Sequence, residues 1–221
     1  MPEQTGMTLT QKLLSYLFPT TRKIPSAYNG ILEVTVFQGR KVLDSANANY
    51  SYGSLQRILR TALLQLDLAA VRTVLLLGLG GGSVVATLRA ELGFRGHITA
   101  VELDPVVIRL AAEEFGIAAS DELRIVHDDA LDFVRTDPGR YDLVIVDLFI
   151  DTTVPAGFMA APFWRLVGQR TAAAGQVVFN AMAAPAALRS VRGELGQLGF
   201  AVRELAVEGT NTLLLASRPA A

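Results

Sequence analysis

The stretch Thr73–Leu88, TVLLLGLGGGSVVATL, runs from a hydrophobic strand pattern through a cluster of glycines into a helical pattern. Four residues of continuous apolar character, Val74 to Leu77, stopped by glycine, read as a strand buried on both faces. The glycines that follow let the backbone bend sharply and approach a ligand, because they carry no Cβ. The helix behind them offers unpaired N–H groups and the positive end of its dipole. Such a turn is a nucleotide cradle, and its spacing decides the nucleotide. An ATPase phosphate loop needs a Gly-Lys-Ser/Thr ending, and no lysine is present. The dinucleotide pattern G-x-G-x-x-G, started at Gly78, places its third glycine at Ser83. What the chain contains instead is G-x-G-x-G at Gly78, Gly80 and Gly82.

The next strand patterns each end in an acid. Glu102 closes HITAVEL about 20 residues after the glycines, where a carboxylate can accept both hydroxyls of a ribose. Asp129, in VHDDAL, stands where it can accept from an adenine amino group. It also precedes ALDFVR, for which it is a good helix N-cap, and the two roles are compatible. Asp147 ends LVIVDLF. Glycines or an acid at the end of four successive strands converge on one carboxyl edge of a parallel sheet. The G-x-G-x-G turn resembles that of S-adenosylmethionine-dependent methyltransferases.

From Thr73 onward, strand and helix patterns alternate, which predicts an α/β, Rossmann-like, doubly wound sheet with right-handed crossovers. PVVIRLAAEEFG has proline at a helix start and Gly116 beyond its end. The last two strands, Phe200–Val207 and Asn211–Ser217, are separated only by EGT, too short for a crossover, so they are expected to form an antiparallel hairpin. Residues 69–221 are read as this domain. Residues 1–68 read as a helix, a β-hairpin and a linking helix. In LTQKLLSYLF the apolar positions 9, 13, 14, 17 and 18 share one helical face, with packing as the expected role and a homodimer contact as the alternative. GILEVTVFQGRKVLDSAN alternates about a Gln38-Gly39 turn and predicts the hairpin. SLQRILRTALLQL is amphipathic.

The 221 residues carry a net charge of -1, two histidines and no cysteine, with a pI near 6.1. Disulfides, thiol nucleophiles and cysteine-ligated zinc are excluded, and a multi-histidine metal site is disfavoured. The balanced charge points away from nucleic acid or an anionic membrane as partner. Hydrophobic residues make up 51% of the chain, yet glycine or acid interrupts every apolar run well short of the roughly 20 residues of a membrane span. The N-terminal residues lack the pattern of a signal peptide. A cytoplasmic protein with a two-sided sheet is the expectation.

Together these segments resemble the spermidine synthase (polyamine aminopropyltransferase) family within the class I methyltransferase fold. VLLLGLGGGS is similar to the family's glycine motif, TAVELDPVVIRLAAEEF to its ribose-binding strand and helix, and HDDALDFV to its adenine-binding segment. YDLVIVDLFIDTTVPAGF resembles the strand carrying the catalytic aspartate, and NYSYGSLQRIL the segment supplying a substrate-site tyrosine. The resemblance implies S-adenosylmethionine or its decarboxylated form as cofactor, held by Gly78, Gly80, Gly81, Gly82, Glu102, Asp129 and Ala130. It implies Asp147, Asp151 and Tyr52 as catalytic or acceptor-site residues, no metal, and a small-molecule acceptor, expected to contain an amine. Where the family carries an aspartate for the amine end of the decarboxylated cofactor, this chain has Gly81, which predicts a weaker preference for that form. Asp151 stands four residues beyond Asp147, a wider acid spacing than the family's. Three alternatives accompany this reading: a non-catalytic binding or oligomerisation module, an NAD-dependent dehydrogenase, and a Mg²⁺ O-methyltransferase using Asp147, Asp151 and Asn180. For Asn180 a strand-end hydrogen bond is the preferred role.

Overall fold

The computed structural model describes residues 9–45, 49–51, 54–149, 153–181, 185–207 and 211–219. A short helix α1 (Leu9–Leu14) precedes four strands, β1 (Thr20–Ser26), β2 (Gly30–Phe37), β3 (Arg40–Ser45) and β4 (Asn49–Ser51). These form an antiparallel sheet in sequential order. The expected hairpin is β2–β3, with Phe37 opposite Arg40. Gln38 at φ 50° and Gly39 at φ 72° are both left-handed, the turn whose twist matches its strands. The sequence did not announce β1. It is largely exposed and contains Pro25, which only an edge strand tolerates. Helix α2 (Ser54–Leu63) then leads to the second sheet.

That sheet has seven strands. In chain order the elements are β5 (Thr73–Leu77), α3 (Ser83–Ala86, continued by a π-helical turn Thr87–Glu91), β6 (His97–Glu102), α4 (Pro105–Phe115), β7 (Leu123–His127), α5 (Ala130–Thr136) and β8 (Tyr141–Val146). They continue as α6 (Ala156–Met159), α7 (Ala161–Arg170), β9 (Thr171–Ala181), α8 (Pro185–Gln197), β10 (Ala201–Ala206) and β11 (Thr212–Ser217). The strand order is β10-β11-β9-β8-β5-β6-β7, a class I Rossmann-like α/β sheet. The terminal hairpin forms as expected, but its last strand lies inside the sheet, with β11 antiparallel to both β9 and β10. Chain order reverses at β5, which pairs with β6 on one side and β8 on the other. A crevice opens at such a switch point, beyond the carboxyl ends of the strands.

Both faces of the sheet are covered, which accounts for the apolar composition. Leu75, Leu77, Val144, Val146 and Phe179 pack with Phe133, Trp164 and Val191 from α5, α7 and α8. Their sequence neighbours Val74, Leu76, Leu143, Ile145 and Val178 pack with Leu59, Leu63 and Val84 from α2 and α3. Among the described residues no helix is long and apolar enough to cross a membrane.

The N-terminal sheet docks on α4. Leu32, Val34 and Leu43 meet Val107, Leu110 and Phe115 in a third cluster. Asp104 caps α4 by accepting from Val106 N at 2.8 Å, and its other oxygen accepts from Ser26 Oγ and from Asn29 Nδ2 at 2.6 Å. The buried Lys41 ammonium lies 2.9 Å from the Glu114 carboxylate, which Arg22 also pairs. Among the described residues, the expected packing role of the first helix is not met. Leu13, Leu14, Leu17 and Phe18 are 55–72% exposed. Ser15 instead anchors the segment, its carbonyl accepting from Gln38 N and its hydroxyl from Gly39 N.

Candidate functional site

The site grows from the first glycine after β5. Gly78 N donates to Val101 O and Asp147 N donates to Leu77 O, both at 2.9 Å, so the ends of β5, β6 and β8 are tied together. At φ 93°, a Cβ on Gly78 would lie 2.1 Å from the Asp147 carbonyl oxygen. No other residue fits there. Gly82, at φ 83° and at the N-cap of α3, faces Ile117, whose side chain would meet a Cβ at 2.5 Å. Gly80 is left-handed as well, whereas Gly81 is not among the positive-φ positions. Gly81 therefore has no backbone conformation that requires glycine.

Glu102, at the end of β6, is buried and holds this turn from below. Its Oε2 accepts from Leu79 N and Gly80 N, each at 3.1 Å, and its Oε1 from Asp104 N at 3.1 Å. Burial pushes the carboxyl above its usual range, the three backbone donors pull it back, and the charge of Asp104 adds to the rise. An ionised carboxylate has about four acceptor positions, so capacity for a further donor remains.

Asp129 caps α5, its Oδ1 accepting from Leu131 N at 2.7 Å and Asp132 N at 3.3 Å. Its Oδ2 has no partner among the described residues, so capping leaves one oxygen for a ligand. Ala130, the first residue of α5, is buried behind it. Asp128 and His127 make local contacts. Asp128 accepts from Asp129 N at 2.9 Å, and His127 Nε2 lies 3.0 Å from Leu103 O.

Asp147 follows β8 and stands beside Gly78. Its Oδ1 accepts from Asn180 Nδ2 at 2.9 Å. Asn180 lies at the end of β9 and is fully buried. Its Oδ1 in turn accepts from Asn211 Nδ2 at 2.8 Å. Burial pushes the Asp147 carboxyl up to about 7, with the charge of Glu102 adding to the rise and the Asn180 amide opposing it. Near neutrality it can both take and hold a proton. Asn180 keeps its expected strand-end role, and its oxygen is committed to Asn211, which removes it from the Mg²⁺ set. No cluster of three or more His, Asp or Glu suited to a metal exists among the described residues. Tyr52 and Asp151, expected on the acceptor side, lie outside the described residues. Trp164 is core, 4.8 Å from Phe179 between ring centroids. Asn211 was not anticipated, because after EGT it reads as an ordinary turn residue.

Known proteins share part of this chain's sequence and its fold. The chain is 32% identical over 131 residues to a polyamine aminopropyltransferase of Vibrio vulnificus, covering 55% of this chain and 44% of that protein. It is 38% identical over 80 residues to an eEF1A lysine and N-terminal methyltransferase homolog of Drosophila melanogaster, covering 35% and 12%. The structure of human methyltransferase-like protein 13 in complex with SAH superposes at a TM-score of 0.62 with 26% identity, covering 76% of this chain and 83% of that one. Spermidine synthase from Thermotoga maritima superposes at 0.64 with 16% identity, covering 90% and 73%, and shows the shared fold. The chain shares the class I methyltransferase fold and is similar to proteins of the spermidine synthase kind. No protein-family model matches it. The chain spans less than half the length of these two curated relatives. Neither the nicotinamide nor the non-catalytic reading gains support from these proteins.

Proposed function

We propose that the chain is a transferase that binds S-adenosylmethionine or its decarboxylated form. It moves a methyl or aminopropyl group to a small, amine-containing acceptor beside Asp147. The observation that carries this reading is the meeting of the Gly78–Gly82 turn, Glu102 and the near-neutral Asp147 carboxyl at one switch point.

The residues present fit such a cofactor. Glu102 retains acceptor capacity for a ribose hydroxyl, Asp129 Oδ2 suits the adenine amino group, and the glycine turn exposes backbone rather than side chain. When bound, the sulfonium supplies an electrophilic carbon whose C–S bond breaks as the thioether leaves. Everything else is the work of the chain's own groups. An amine at neutral pH arrives protonated, and its nitrogen must lose that proton to become a nucleophile. Asp147, ionised, attracts the cation and accepts the proton, and a carboxyl balanced near 7 does both at little cost. Holding the acceptor in line supplies much of the remaining rate. Tyr52 and Asp151 complete the acceptor side in this reading.

Gly81 bears on which cofactor is used. With no carboxylate there, nothing at that position selects the amine end of the decarboxylated form. We therefore expect weaker discrimination between the two sulfonium compounds than a polyamine synthase shows. Residues 1–68 and 69–221 act as separate units in the proposal, the first covering α4. A cytoplasmic homodimer joined through the exposed leucines of α1, without nucleic acid or membrane as partner, completes it.

Calorimetric titration with S-adenosylmethionine, its decarboxylated form and S-adenosylhomocysteine tests the reading. Binding of at least one is expected, and no heat from any of the three sinks it. A strong preference for the decarboxylated form would reject the role given to Gly81.

A further inference from the structure

Asp147 accepts only one hydrogen bond among the described residues, and its donor is itself held by a third residue. An ionised carboxylate offers acceptors alone, so the Asn180 amide must turn its NH₂ toward Asp147. That orientation sends Asn180 Oδ1 to the far side, where Asn211 Nδ2 meets it at 2.8 Å. An amide is a two-ended group. If nothing held its far side, half a turn would face its oxygen to the carboxylate, and attraction would become repulsion. By donating to Oδ1, Asn211 favours the orientation that faces the NH₂ to Asp147.

The topology explains why a residue so late in the chain reaches the site. Asn211 immediately precedes β11, and β11 runs antiparallel to β9, with Leu213 opposite Asn180. The beginning of β11 therefore lies at the carboxyl edge of the parallel strands, with Asp147 and the glycine turn. A parallel strand there would have placed its first residues at the opposite edge.

We propose that Asn211 and Asn180 form an orienting relay for Asp147, fixing which carboxylate oxygen is spent inside the protein and which faces the acceptor. The proposal rests on the reading of Asp147 as proton acceptor. Both asparagines are positioning residues. Oδ1 is committed to Asn180, while Oδ2, with no partner among the described residues, is left to take the acceptor's proton. The charged side chain acting on Asp147 among the described residues is Glu102, on β6. The neighbouring ends of β5 and β9 present the uncharged Gly78 and Asn180. The relay is thus the described interaction that favours the ionised form, against burial and Glu102.

Infrared titration of the free protein tests this without any turnover. The protonated carboxyl band of Asp147 is identified by its loss in D147N, and its midpoint is read in wild type, N211A, N211S, N180L and N180L/N211A. In N211A the midpoint is expected to rise by up to about one pH unit, because the Asn180 amide loses the partner that orients it and its bond to the ionised form weakens. N211S, which keeps a donor, is expected to recover part of that shift. The double variant is expected to rise no further than N180L alone, because two links of one chain do not add. An unchanged midpoint in N211A, or shifts that add, overturns the relay. If N180L does not fold, the contrast between N211A and N211S decides, since Asn211 is only partly buried. Calorimetry with S-adenosylhomocysteine separates the two readings. Binding with an unmoved midpoint removes the relay alone, and a moved midpoint without binding removes the transferase reading alone.

Discussion

Gly78 and Gly81 sit three residues apart and differ in what they tolerate. Alanine at Gly78 combines a left-handed φ with a backbone oxygen 2.1 Å from the new carbon, and is expected to cost about 2 kcal/mol or more. Alanine at Gly81, where φ is ordinary, should leave the unfolding midpoint near wild type. Thermal unfolding of both variants checks the contrast. Asp147 makes a second prediction. Its carboxyl is raised from 3.8 to about 7 by burial, so between those values the folded chain binds more protons than the unfolded one. Stability contributed by this group is therefore greatest at low pH and is lost as pH rises through about 7. D147N removes that dependence. The unfolding free energy of D147N minus wild type should grow across this window, by on the order of 2 kcal/mol after allowing for solvent screening of a partly exposed group. Denaturant titrations at pH 5 and pH 8 check it, and a flat difference would contradict the raised carboxyl.

Helix α4 joins the two sheets, and its charges divide into strong and weak. Lys41 is buried against Glu114, whereas Arg22, on the same carboxylate, is mostly exposed. E114Q removes the charge that faces a buried ammonium, with an expected loss of about 3 kcal/mol. R22A should cost less than about 1 kcal/mol. Chemical denaturation of the pair measures both. Elements with a strong local signal were legible in the sequence. Strands β5 and β8 are buried on both faces and read as continuous apolar runs, while Gly116 and Asp129 mark helix ends. The Gln38-Gly39 hairpin was equally plain, because its turn chemistry is local. β1 was hidden, since a mostly polar edge strand with a proline has no pattern of its own. The outward exposure of α1 was hidden too, because an apolar stripe records that a face is greasy and not what covers it.

For the molecule as a whole, the cofactor side of the site was more legible than the acceptor side. Gly78, Glu102 and Asp147 each end a strand, so the alternation of strands and helices lines them up before any side chain is placed. Asn211 escaped because its role depends on where β11 inserts, a long-range fact that no short motif encodes. Ligand binding reports on this global arrangement. If the turn and Glu102 hold the cofactor only in the folded state, S-adenosylhomocysteine at 100 times its dissociation constant should add about 2.7 kcal/mol of stability. A melting curve that does not move at that concentration would contradict a preformed site.

The placement of β11 also has a consequence for the order of assembly. β10 pairs with β11 alone, so although β10 is made first it has no sheet edge to join until the later strand has inserted beside β9. The edge of the sheet must wait for a contact that skips a strand, and such non-local pairings form slowly. The glycine turn and Glu102 rest on β5, β6 and β8, all of which precede β11 in the chain. During refolding, then, the chain should gain a nucleoside-binding turn before it gains an oriented Asp147, and affinity should return ahead of proton-transfer competence.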